Sequence, residues 1–188
     1  MKVPVVRKKL NFLPDSSRVV ARYFMNGEVR TKDLINRILL ISDVDVNCAL
    51  EGINREFARR HRNISEIFYK HFDKAKDIID GMQFDKEKMT EDRKLLIGAY
   101  LTMEYSIESA AFFNPSMVED FDQSGLEKGE KRVVISFRAT GEGHVSSIVF
   151  RRGILDNGNN LRMMRIGDSI EKADLLRKMI FTKKKILS

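Results

Sequence analysis

Carboxylates, histidines and one glycine-flanked arginine are the groups in this chain that could do chemistry. Two Glu-Asp pairs occur, in "TEDRK" (Glu91, Asp92) and in "VEDFDQSG" (Glu119, Asp120, with Asp122 beyond). Paired carboxylates can divide acid and base roles when their surroundings push their proton affinities apart. The first pair follows Thr90 and falls in a first helical turn, where acids serve the helix dipole. The second lies between extended segments and reads as a solvated loop. Three histidines, His61, His71 and His144, are scattered, with the first two on separate helical surfaces. No Ser/His/Asp or Cys/His set follows from this spacing, and no pair has a metal-ligand pattern.

The stretch "RATGEGH", Arg138 to His144, concentrates an arginine, a glutamate, a histidine and two glycines in seven positions. It lacks the spacing of a phosphate-binding loop, and it joins two alternating segments, "KRVVISF" and "VSSIVFRR", rather than opening a helix. It therefore reads as a hairpin connection with glycines at positive φ. The densest basic clusters, "ARRHR" and "TKKK", fall at helix ends, where cations are favourable without a partner. No aromatic residues interleave with them as a nucleic-acid stacking platform requires.

The elements that must position these groups divide the chain. "VPVVRKKLNFLPDSSRVVARYF", broken by Pro4 and Pro14, reads as extended arms or edge strands. From Glu28 the period is helical. Leu34, Ile35, Ile38 and Leu39 mark one helix. Ser42 caps a second, carrying Val46, Leu50, Ile53 and Phe57. Asn63 is the expected N-cap of a third, with Ile64, Ile67, Phe68, Phe72 and Ala75, running to "IIDGM". Thr90 caps a fourth, "EDRKLLIGAYLTMEY", whose dense apolar positions predict the most buried helix of the set. After Tyr105, short β-type runs alternate with the turn signals "NP", "SGLEKGE", "TGEG" and "DNGN". From Ile170 to Leu187 the period is helical again. The expected class is α+β: an extended arm and helical region over 1–105, an antiparallel β-meander over 106–168 and a C-terminal helix over 169–188.

Lys plus Arg exceed Asp plus Glu by 34 to 27, a net charge of +7 that favours anionic partners without naming one. The single Cys48 excludes an intramolecular disulfide, and no apolar run suits secretion or a membrane span. The expected setting is cytoplasmic, with neither nucleic acid nor membrane as partner.

Three strings carry a further signal: "RRHRNISEIFYKHF", "RKLLIGAYLTMEYSIESAAFFNPSMV" and "DQSGLEKGEKRVVISFRATGEGHVSSIVFRRGIL". Together they resemble the opening region of glycoside hydrolase family 130, the β-mannoside phosphorylases and related mannosidases. The resemblance spans roughly residues 3–158, is strongest from Arg93 to Leu155, and weakens from "RMMRIGDS" onward. It implies a helical N-terminal extension ahead of the first blade of a five-bladed β-propeller. It also implies cleavage of β-mannosidic oligosaccharides, with inorganic phosphate as co-substrate in the phosphorylases, giving α-mannose 1-phosphate, and no cofactor or metal. On the matching positions, Asn114 of "FNPSMV" and Arg138 of "FRATGEGH" are the residues that face the sugar. Glu142 and His144 belong to the same matched string and are included as substrate-binding candidates.

The family's general acid sits in a Glu-Asp motif well downstream of this hairpin, and neither pair here aligns with it. No catalytic residue is therefore expected within this chain. Five blades of about 40–45 residues need more than about 200, and the length after the helices allows one. The expectation is an N-terminal portion, inactive alone, that lacks the rest of its propeller or assembles as a homo-oligomer. An alternative is a non-catalytic helical interaction module that binds a protein or an anionic polymer.

Overall fold

The computed structural model describes residues 5–167 and 169–170. Its class is α+β, with five α-helices and two antiparallel sheets. Apart from Ile170, the expected helix at Ile170–Leu187 lies outside the described residues.

An extended arm from residue 5 reaches β1 (Val19–Tyr23), which pairs antiparallel with β2 (Thr102–Ser106). All five α-helices lie between these strands, the first four being α1 (Glu28–Leu40), α2 (Asp43–Phe57), α3 (Ile64–Asp73) and the short α4 (Lys76–Asp80). α5 (Glu91–Tyr100) then leads directly into β2. On α1, Ile35, Ile38 and Leu39 form the buried stripe, and on α2 Val46 and Leu50 do so. Ser42 and Thr90 cap as the sequence predicts, their hydroxyls accepting from Asp45 N and Arg93 N.

Asn63 precedes α3 but does not cap it. It sits in the left-handed region at φ 52°, and its side chain accepts no cap hydrogen bond. The third helix also stops short of "IIDGM", at Asp73, with the single-turn α4 following.

α5 is the buried element that its composition predicts, with Arg93, Leu96, Ile97, Gly98 and Ala99 all inside. Gly98 marks its crossing with α3, because a Cβ there would lie 2.0 Å from the Phe68 carbonyl oxygen. Arg93 donates to the carbonyls of Ile38 (3.2 Å) and Ile41 (2.7 Å), satisfying acceptors that the end of α1 leaves open. The expected single helix through Tyr105 ends at Tyr100. Beyond it, "TMEYS" is a strand, because β1 supplies backbone partners and Tyr105 buries against the core.

The second sheet runs in the order β3-β4-β5-β6, each strand antiparallel to the next. These strands are β3 (Ala111–Glu119), β4 (Lys131–Thr140), β5 (Ser146–Leu155) and β6 (Leu161–Met163). Alternation along β4 buries Val133, Ile135, Phe137 and Ala139 on one face. Phe12 of the N-terminal arm packs on that face, its ring 4.6 Å from Phe137, with Phe112 completing the cluster. On the opposite face Ile148 and Phe150 are 71% and 64% exposed, beside the half-exposed Phe113.

A buried carboxylate joins the helical part to this sheet. Glu108, fully enclosed, is bound by Arg18 Nε at 2.8 Å and by an Arg151 nitrogen from β5. Arg18 belongs to the approach to β1, so one carboxylate ties arm, connector and sheet.

Candidate functional site

Arg138 lies on the outward face of β4, because Phe137 and Ala139 on either side of it point into the core. Its cross-strand neighbours are Phe113 on β3 and Ile148 on β5. Its Nε donates to Ser146 Oγ at 3.1 Å. The other arginines of the sheet are matched to carboxylates: Arg132 to Asp122 (3.1 Å), Arg151 to Glu108, Arg152 to Asp120 (2.9 Å) and Arg162 to Glu130 (3.4 Å). Among the described residues, Arg138 alone of this set has a hydroxyl in place of an acid. A guanidinium oriented by one neutral bond keeps donors for a polar ligand, and its charge is uncancelled by contact.

Asn114 stands beside it through an irregularity in β3. Phe113 pairs with Arg138, whereas Ser116 pairs with Ser136, so β3 carries one extra residue over this interval. That is a β-bulge, a device that re-aims side chains. Asn114 takes φ 49° at the bulge, a left-handed conformation that asparagine tolerates better than most residues. Pro115, without an N–H to offer a ladder, follows it.

Glu142 and His144 occupy the connection between β4 and β5, a single 3₁₀ turn over Glu142–His144 with both side chains exposed. The hairpin reading of "RATGEGH" thus holds, although its glycines differ. Gly143 has φ 60°, whereas Gly141 has φ −98°. His144 itself adopts φ 61°. The four candidates therefore collect at one end of the sheet: two on adjacent strands, two in the connection that follows.

The remaining chemical groups are engaged elsewhere. Glu91 is bonded by Lys94 (2.6 Å) and by the Tyr69 hydroxyl (3.1 Å). These bonds, the Lys94 contact foremost, hold its carboxyl below the usual value. Asp120 is not the solvated loop acid expected from the sequence. It is buried, bound by Arg152, and its Oδ1 accepts from Asp122 N at 3.1 Å. The loop had to fold back on β4 and β5 for that, which local composition does not announce. The Glu119–Asp120 pair also sits at the opposite end of the sheet. Glu119 pairs with Val133, five residues before Arg138, which corresponds to roughly 17 Å along a strand.

His61 and His71, expected on separate surfaces, line one cleft of about 730 Å³ together with Arg62, Lys70 and Lys74. Nor is "ARRHR" wholly a solvated helix end. Arg60 donates from Nε and a terminal nitrogen to both Glu104 oxygens (2.7 and 3.0 Å), and His61 Nε2 lies 2.7 Å from Oε1. Thr102 donates to the Gly98 carbonyl, so His71 Nδ1, 2.7 Å from the same hydroxyl, carries the proton of that contact. Among the described residues no group of three or more His, Cys, Asp or Glu is placed to hold a metal ion. No described helix is long and apolar enough to cross a membrane.

No family model matches the chain, and neither a curated protein nor a solved structure matches it.

Proposed function

We propose that this chain supplies the first blade and part of the sugar cavity of a β-mannoside phosphorylase or mannosidase. Its partners are then a β-mannoside oligosaccharide and inorganic phosphate. The observation that carries the reading is the state of Arg138, among the described residues the one arginine of its sheet matched to a hydroxyl instead of a carboxylate. Asn114 at the adjacent bulge adds an amide that both donates and accepts, suited to sugar hydroxyls. The up-and-down strand order and the apolar outward face around Ile148 and Phe150 suit a blade that packs against a following blade.

In such an enzyme phosphate attacks the anomeric carbon while a carboxylic acid protonates the departing glycosidic oxygen. The acid is not assigned to either Glu-Asp pair: Glu91, Glu119 and Asp120 are each engaged by another side chain, and Glu119 pairs at the opposite end of the sheet from Arg138. Asn114, Arg138 and the Glu142–His144 connection therefore bind and orient the mannosyl unit, and the proton and phosphate steps belong to groups outside the described set.

Titration of the 188-residue chain with a β-1,4-mannooligosaccharide, followed by amide NMR, tests the reading. Saturable shifts confined to the Asn114, Arg138 and Glu142–His144 region, lost in Arg138→Ala, are expected. Binding that is absent, or unchanged in Arg138→Ala, overturns it.

A further inference from the structure

The connection bearing Glu142 and His144 is held by β2 and the segment that follows it. Gly141 approaches the last residue of β2 so closely that a Cβ would lie 2.0 Å from the Ser106 carbonyl oxygen. One residue earlier on β2, the Tyr105 hydroxyl donates to the carbonyl oxygen of Glu142 at 2.5 Å. Tyr105 is buried, the Arg22 guanidinium carbon stands 4.8 Å over its ring, and its backbone pairs with Val20 of β1. A further bond, Ala110 N to the Thr140 carbonyl at 2.9 Å, fixes the β4 side of the same turn.

The turn needs such support. Gly143 and His144 are both left-handed, and for histidine that conformation costs about 1 kcal/mol. Within the turn, Glu142 O has only a long bond, 3.5 Å, from Val145 N. Ser146 follows immediately and is the residue that orients Arg138. A connected path thus runs from Arg22 through Tyr105, the Glu142 carbonyl and Ser146 to Arg138.

We propose that Tyr105 is a positioning residue: its hydroxyl sets the conformation of the 141–146 connection and, through Ser146, the direction of the Arg138 guanidinium. The β1–β2 sheet then acts as a jig for the ligand-facing turn. The mannoside part of this inference rests on the function proposed above. The clamp itself rests on the contacts alone.

Tyr105→Phe keeps the ring and its Arg22 contact and removes one hydrogen bond. Hydrogen exchange of the 188-residue chain is the first readout. Amides 141–146 are expected to exchange about tenfold faster in the variant, the equivalent of one lost bond, while amides 133–137 are unchanged. A tyrosine that merely fills space would instead leave 141–146 no faster relative to 133–137, and that outcome overturns the clamp. The second readout is affinity for a β-1,4-mannooligosaccharide, expected to fall about tenfold. Faster exchange at 141–146 with unchanged affinity overturns the positioning role. Absence of mannoside binding by the unmodified chain overturns the functional reading, and exchange still decides the clamp. Should Tyr105→Phe not fold, Ser146→Ala tests the last link from an exposed position. It is expected to weaken mannoside binding with native exchange in β4, and unchanged binding overturns the path to Arg138.

Discussion

Arg138 and Ser146 are diagonal neighbours across the β4–β5 ladder, two residues out of register, joined by a 3.1 Å hydrogen bond from Nε to Oγ. One strand further along, Arg151 on the opposite face is committed to the buried Glu108. The two arginines therefore differ in their partners, a surface hydroxyl for one and a buried carboxylate for the other, and the proposed function gives only the first a ligand. Arg138→Ala should abolish mannoside binding while changing unfolding free energy by less than about 0.5 kcal/mol, as for an exposed side chain. Arg138→Lys should not restore binding, because an ammonium lacks the planar fork and cannot keep the Ser146 bond in the same orientation. Calorimetric titration beside urea unfolding checks both.

Glu108→Ala should do the reverse. It leaves Arg18 and Arg151 without their shared carboxylate in a closed site, at a cost of about 3–5 kcal/mol. Urea unfolding measures it, and a loss below about 1 kcal/mol would show that water reaches these arginines.

Gly98→Ala tests the α3–α5 crossing. Alanine normally favours a helix, but here its methyl meets the Phe68 backbone at 2.0 Å and the helices must separate. Destabilisation of about 1–3 kcal/mol is expected, read as a lower melting temperature. A raised melting temperature would show that the crossing relaxes freely.

The Glu104 cluster should appear in the acid limb of stability. Burial opposes ionisation of Glu104, but the bonds from Arg60 and His61 outweigh it and hold the carboxyl below its ordinary 4.5. A lowered folded-state value means fewer protons bound folded than unfolded. Its stabilisation is therefore present above 4.5 and is lost as pH falls through the lower folded value. Glu104→Gln should flatten that part of the curve relative to the unmodified chain, in urea titrations at successive pH values. Curves of equal slope would remove Glu104 from the acid response.

Much of the helical region is legible locally. Ser42 and Thr90 announce their helices because capping chemistry is a property of a few adjacent residues. The density of apolar residues after Arg93 marks α5 as the central helix for the same reason. The end of α5 is not legible. Whether "TMEYS" is helix or strand depends on β1, about eighty residues upstream, offering a partner. Asp120 and the His61–Glu104 pairing were hidden similarly, since each is completed by a residue distant in the chain. At the candidate site, the alternation of "KRVVISFRAT" already places Arg138 away from the core. The bulge at Asn114 and the Tyr105 clamp emerge only once strands are in register.

The extra residue in β3 bears on how the protein behaves when concentrated. β3 is the outer member of its sheet, and a long regular strand there would template the addition of another chain. Its run of ladder pairs is interrupted between Phe113 and Ser116, with Asn114 turned to φ 49° and Pro115 lacking an N–H. The irregularity that turns Asn114 to φ 49° thus also breaks the flat surface on which fibrils grow, so the residues the proposed function uses for recognition would double as protection against polymerisation.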